Sequence, residues 1–280
     1  MNQLARMLLL SLLPTLAVVP GARAGELPAL PAWSVLEFEE QRFWATAYSR
    51  LEIPQPDAGQ AYWEFTATSS VPGNSEEVSM HFEPASGDLI HRDRLSKGKK
   101  DQRLKSFDYE ADYILRERRN PGKDGATAPD EWPVTSSKRV RYPEAADDVV
   151  VTNSYLLLLL AERLQAEGPG ATMEVLVHTD LNFYRARMTA GNGVPVSADF
   201  SIDGGKDTRG TRDTTAVALK VTPEGELADK DDFSVLGLSG EIILLFDRES
   251  GLPLQVRGTA PRVGDMAINL KSATLRTPAP

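Results

Sequence analysis

Apolar and polar residues alternate with period two over much of the chain. Phe107, Tyr109, Ala111, Tyr113 and Leu115 fall on one side, with Asp108, Glu110, Asp112, Arg116 and Arg118 mostly opposing them. The same period recurs at Val194, Val196, Ala198, Phe200 and Ile202, and at Thr215, Val217, Leu219 and Val221. Ile242, Leu244 and Phe246 continue it, as do Met266, Ile268 and Leu270. Successive side chains of a strand point to opposite faces, so each run predicts a strand with one buried face. Shorter runs predict strands near Phe43–Ile53, Ala61–Thr68, Val78–Phe82, Met173–Thr179 and Phe183–Ala190. No crossover helices separate these runs, which implies antiparallel pairing in a sheet, sandwich or barrel.

One segment departs from this period. Thr152-Asn153-Ser154 can cap a helix over Tyr155 to Gln165, and Gly168 lies just beyond. Leu156 to Leu160 are five consecutive leucines, which cover every side of a helix instead of one stripe. The expectation is a helix tucked into the concave side of a curved sheet, with a buried strand as the alternative. The fold class expected is therefore mainly β: a curved antiparallel sheet, half-barrel or open barrel, with one buried leucine-rich helix. Irregular segments are expected at Asn120–Ser137, Asp203–Asp213 and Pro223–Ser234. No internal repeat marks a second core, so residues 25–280 read as one domain.

Residues 1–24 read as a secretory signal. Arg6 precedes a nearly apolar run from Met7 to Val19, and Ala22-Arg23-Ala24 places small residues where a signal peptidase reads them. The run falls short of the ~20 residues that span a bilayer. With no cysteine after Ala24, lipid anchoring through a thioether is excluded. A periplasmic or secreted location without a membrane span after cleavage follows as the expectation.

The 280 residues contain no cysteine, which rules out disulfides, thiol nucleophiles and Cys-based metal sites. Formal charge is -9, and loss of Arg6 and Arg23 with the leader makes it -11. An acidic chain repels nucleic acid at long range, so none is expected as a partner. Yet His91 to Arg141 holds 14 Lys/Arg against 9 Asp/Glu, a local excess of +5. Residues 92–105, including Arg92, Arg94, Lys97, Lys99, Lys100, Arg103 and Lys105, can touch an anionic surface or form a solvated hairpin that protects a sheet edge.

Catalytic signatures are missing. No Gly-x-Ser-x-Gly elbow, His-Glu-x-x-His pair or phosphate-cradling Gly-Lys-Ser/Thr loop occurs. His81 and His91 flank a turn at Pro84–Gly87, and with Asp93 they could supply a metal with two nitrogens and a carboxylate. Across a hairpin the same two histidines form a polar pair facing water. Asp203-Gly204-Gly205-Lys206-Asp207 lacks the Asp/Asn alternation and closing Glu of a calcium loop. Asp147-Asp148 and Asp231-Asp232 are adjacent, so on a strand each pair splits between faces. No catalytic residue, metal set or cofactor is assigned.

The closing strands carry a resemblance. Ser154-Tyr155-Leu156 opens the leucine segment, a strand follows near Met173–Thr179, and the chain ends with Gly240-Glu241-Ile242, Phe246-Asp247, Gly251-Leu252-Pro253-Leu254, Gly264 and Leu270. Over Val149–Leu275 this resembles the secreted proteobacterial family called domain of unknown function 3108. The resemblance implies a curved antiparallel sheet and carries no activity. Asp247, Glu249, Ser250 and Gly251 suit a tight reversal, and Pro253 suits the start of the next strand.

Aromatic residues are spread over most strands and read either as a filled core or as the wall of a hollow. Under the second reading Trp63, Phe65, Tyr109, Tyr113, Leu156 and Leu160 line a site for an amphiphile or an apolar segment of an envelope component. The function expected is that of a soluble periplasmic non-enzymatic binding protein. The alternatives are an envelope assembly protein with a filled core and a secreted metal-dependent hydrolase built on His81, His91 and Asp93.

Overall fold

The computed structural model describes residues 29–277 apart from 43–44, 58, 100, 123–126, 147–148, 229 and 262. The leader, Phe43, Trp44, Lys100 and the Asp147-Asp148 pair lie outside the described residues. An antiparallel meander opens the fold: β1 (Trp33–Arg42), β2 (Ala45–Glu52), β3 (Trp63–Val71) and β4 (Asn74–Phe82). It continues through β5 (Leu89–Gly98), β6 (Gln102–Tyr109), β7 (Tyr113–Arg119) and β8 (Val134–Arg141). A short β9 (Val151–Thr152) leads into helix α1 (Leu157–Ala166).

The second half holds β10 (Thr172–His178), β11 (Phe183–Asn192), β12 (Val196–Ile202), β13 (Lys206–Arg212) and β14 (Thr214–Pro223). β15 (Ser239–Asp247), β16 (Pro253–Ala260) and β17 (Gly264–Leu275) close it. The last strand returns to the first, β17 pairing antiparallel with β1. Backbone ladders then give the order β8-β7-β6-β5-β4-β3-β2-β1-β17-β16-β15-β14-β11-β10-β9. The β12–β13 hairpin leaves this ladder and touches β17 through a short parallel pairing at Ser201/Ser272 and Ile202/Ala273. Among the described residues no ladder joins β8 to β9, so the sheet curls without closing as a barrel.

The alternating runs do what their period predicts. In β3, Trp63, Phe65 and Ala67 are buried while Glu64 and Thr66 lie between them toward solvent. β12, β14 and β17 match the sequence reading of their inward faces, except that Val194, read as the first buried position of the β12 run, precedes the strand and is 49% exposed. One run is corrected. Phe107 to Leu115 is two strands joined by a turn, where the Glu110 N–H donates to the Tyr113 carbonyl at 3.0 Å. The reversal puts Ile114 in the core and Tyr113 on the opposite face of β7. Strands also begin inside two segments expected to be irregular, β8 at Val134 and β13 at Lys206.

The helix fills the concave side. Leu156 to Ala161 and Leu164 are at most 2% exposed and join one core with Trp33, Phe38, Phe65 and Phe246. Each leucine so buried contributes roughly 1.5–3 kcal/mol. Its entry differs from a simple cap: Asn153 Oδ1 accepts the Tyr155 N–H at 3.1 Å, and Leu156 already has helical backbone. The β4–β5 turn covers the helix closely. Gly87 has φ +86°, and a Cβ there would sit 3.0 Å from Leu160 Cδ2. Glu162 receives the Trp33 indole N–H at 2.7 Å, and Arg163 donates to the Pro84 carbonyl at 2.8 Å. The Asp247 reversal is as expected, its Oδ2 accepting Ser250 N–H and O–H, with Gly251 at φ +74°. No helix among the described residues is long and apolar enough to cross a membrane.

Candidate binding cleft

The six aromatic and leucine positions singled out from sequence divide between core and rim. Trp63, Phe65, Leu156 and Leu160 are 0–2% exposed within the packed core. Tyr109 lies at the meeting of the two sheet ends, its hydroxyl 3.0 Å from His178 Nδ1. Tyr113 faces away from Ile114, and the Arg139 guanidinium stacks 4.7 Å from its ring centroid. The leucine helix therefore occupies the apolar half of the concavity, and the open space lies at the polar half.

Strand register shows how that polar half is built. Phe107 and Ile114 point into the core, so residues two apart share the concave face of β6 and β7. Arg92 lies opposite Phe107, which lies opposite Arg116, which lies opposite Lys138. One row along, Arg94, Lys105 and Arg118 are direct cross-strand neighbours. Arg103 follows opposite Ser96. Seven cations thus share the concave face of β5–β8, and no Asp or Glu of these four strands joins them. Asp93, Asp108 and Glu117 all stand on the outer face. Like charges directly opposite one another destabilise a sheet unless something screens them.

Part of the screening comes from the other end of the sheet. Asp180, in the β10–β11 turn, accepts Arg116 Nε at 2.6 Å and also takes the Lys105 ammonium. Burial alone would raise the Asp180 pKa, but these two donors outweigh it and hold the carboxyl well below the usual range. Arg92, only 2% exposed, donates to the His178 carbonyl at 2.8 Å and to the Thr179 carbonyl. It also lies 3.9 Å from the Phe107 ring centroid. Burial keeps the His178 imidazole neutral, its pKa well below the ordinary value, and pushes the Tyr109 phenol up to about 12. Phe107 and Ile114 pack with Leu176 and Phe183 beneath this network. Side chains therefore join the two ends where backbone pairing does not.

Beside the seam lies a cleft of about 470 Å³, walled by β2–β6, Tyr155 and the segment around Leu236. Its surface is rich in hydroxyls, including Ser49, Ser69, Ser70, Ser75, Ser96 and Ser234. Arg94 grips Glu76 with Nε at 2.8 Å and Nη2 at 2.6 Å, while Lys97 and Arg103 line the mouth. A deeper chamber of about 130 Å³ continues from it, reaching Arg92, Asn153, Thr179 and Asp232. Asp232 is tied down by Thr179, Asn182 and Tyr184 at 2.8, 2.9 and 3.0 Å. Leu236 and Gly237 turn with φ +50° and +84°, which aims this segment back over the cleft.

His81 and His91 face each other across β4 and β5 on the outer face, ring centroids 5.7 Å apart. His91 contacts Asp108 at 2.7 Å and Asp93 at 3.3 Å. Hydrogen bonding to Asp93 and then Asp108 outweighs burial and raises the His91 pKa to about 9. Both ring nitrogens then carry protons directed at carboxylates, which suits an ion-paired surface and not a metal ligand. Among the described residues no three metal-ligating side chains gather. Asp203 to Lys206 form the β12–β13 hairpin connection, with Asp203 at φ +51° and Gly204 at φ +71°.

Sequence reasoning missed Arg116, Arg118, Lys138 and Asp180 as members of the site. A signal was present: Arg92 and Arg94, Arg103 and Lys105, and Arg116 and Arg118 are each spaced by two, with Asp93 and Glu117 between the members of the first and last pairs.

No family model matches the chain, and no curated protein matches it. Among solved structures, it is similar to a β-barrel-like protein of domain of unknown function 1849 from Brucella abortus. Identity is 8%, the match covers 90% of this chain and 100% of that one, and the TM-score is 0.49.

Proposed function

We propose that the chain is an exported, non-enzymatic binding protein that grips the anionic headgroup of an envelope amphiphile on the concave face of β5–β8. The observation that carries this is the separation of charge across one sheet: seven cations inside, with every acid of those strands outside. Asp180 and Glu76 screen Lys105, Arg116 and Arg94. Arg118 bonds only the neutral Asn120 side chain, and Lys138 forms no ion pair among the described residues. In a chain of charge -9 such a strip is a local feature, and an anion would relieve its repulsion. The serine hydroxyls of the cleft suit the polar groups of a headgroup. Since leucines fill the interior, the acyl chains stay outside the fold. Removal of the leader after Ala24 and kinship with domain of unknown function 3108 belong to the same proposal.

Flotation of purified residues 25–280 with vesicles tests it. The protein should float with phosphatidylglycerol vesicles, weaken as salt rises, and stay at the bottom with phosphatidylcholine alone. Equal behaviour on both lipids would overturn the reading. The filled interior also favours a second reading, an assembly partner docking at the β8 edge, which is unpaired on its outer side among the described residues. Crosslinking through β8 to a single envelope protein, with no lipid preference, would replace the first reading by the second.

A further inference from the structure

The deeper chamber separates the headgroup's anion from its hydroxyls, an inference that rests on the reading above. Four cations converge there or within the adjoining seam: Arg92, Arg94, Lys105 and Arg116. Three carboxylates face them, Glu76, Asp180 and Asp232. Each acid is already committed: Glu76 to Arg94, Asp180 to Lys105 and Arg116, and Asp232 to neutral donors. Arg92 contacts none of these carboxylates among the described residues and lies among carbonyls and an aromatic ring.

Burying a guanidinium without a counter-charge is costly, so the position calls for an anion. The Arg92 Nε is buried without a partner, and the side chain lines the chamber. Both Nη atoms of Arg92 and the Nε and Nη2 of Arg94 are already bonded, which leaves Arg92 Nε without a partner, while Asn153 and Ser234 add an amide and a hydroxyl on the chamber wall. At about 30 Å³ of liquid volume per water, the chamber holds a small oxyanion and little more.

We infer that this chamber binds one phosphate group carrying a single negative charge, the phosphodiester of a headgroup whose hydroxylated remainder lies in the serine-lined cleft. A phosphodiester monoanion supplies the counter-charge that Arg92 lacks and presents a free oxygen to its Nε.

Inorganic phosphate is the first probe and phosphatidylglycerol vesicles the second, both with the leaderless protein. Phosphate should raise the thermal midpoint above that in chloride of equal ionic strength, and should release protein from the vesicles. Ser234→Asp places a carboxylate on the chamber wall at a partly exposed position, and should weaken both kinds of binding roughly tenfold. Arg94→Gln should act in the same direction, which guards against a folding defect in either variant alone. Phosphate stabilisation that is sensitive to Ser234→Asp, without vesicle binding, supports the chamber and identifies free phosphate as the source. Vesicle binding indifferent to phosphate and to both substitutions overturns the chamber while leaving the headgroup reading intact. Failure of both probes on the unaltered protein overturns both.

Discussion

Asp180→Asn keeps the shape of the seam's carboxylate and removes its charge. Lys105 and Arg116, whose side chains are 11% and 8% exposed, would then face each other without a counter-ion. Breaking a buried ion pair costs about 3–5 kcal/mol. The Asp180 side chain keeps 22% of its surface, so the lower end, about 3 kcal/mol, is the working figure. For a chain of this size each kcal/mol shifts the midpoint by about 2–4 °C, which gives a fall of roughly 6–12 °C. The sign with pH is fixed by the depressed folded pKa. Stability from Asp180 is fully present above the unfolded value near 4 and is lost as pH falls toward the folded value. The gap between wild type and Asp180→Asn in urea titrations should therefore narrow by about 1 kcal/mol on going from pH 7 to pH 3. A loss below about 1 kcal/mol at pH 7, with no narrowing in acid, would mean that the apolar contacts of Phe107, Ile114, Leu176 and Phe183 hold the sheet ends unaided.

Three further outcomes follow from the same geometry. Burial pushes Glu162 up to about 7 against the donated Trp33 N–H, so the fold favours its neutral form and loses stability as pH rises from about 4.5 through 7. Glu162→Gln should flatten that dependence and gain roughly 2–3 kcal/mol at pH 8 in chemical denaturation; an unchanged profile would contradict it. The His91 ring protons should titrate near 9 by NMR, and its contribution to stability, complete below about 6.5, should fade as pH rises through 9. Titration near 6.5 would show that Asp93 and Asp108 do not hold the ring. Leu158→Ala, at a position 2% exposed, should cost about 2–5 kcal/mol in thermal or urea unfolding, whereas a tolerated change would mean that the helix is not packed on that side.

The apolar half of the architecture was readable from sequence, and the polar half was not, for the same reason. Val196, Ala198 and Phe200 alternate with Ser197 and Asp199, so period two exposes β12 directly. Five leucines in a row can only be buried if surrounding elements cover them on every side, which located α1 inside the curve. β5 and β8 escaped because much of their concave face is Arg92, Arg94 and Lys138, and a search for apolar alternation passes over cations. The Phe107–Leu115 run failed differently: Ala111, Tyr113 and Leu115 continue the alternation through a turn, so the reversal at Glu110–Asp112 left no break in the pattern. Asp180 could not be paired with Arg116 or Lys105 without knowing that the two sheet ends meet.

The proposed role of the concave strip is tested most directly by two double variants of equal charge change. Arg94→Gln with Arg103→Gln removes two concave cations, while Arg139→Gln with Arg141→Gln removes two from the outer face. At about 1 kcal/mol per basic residue near an anionic surface, the concave pair should weaken binding to phosphatidylglycerol vesicles by roughly thirtyfold. The outer pair should leave it nearly unchanged. Equal losses in the two variants would show that binding follows net charge and that the concave face has no special part in it.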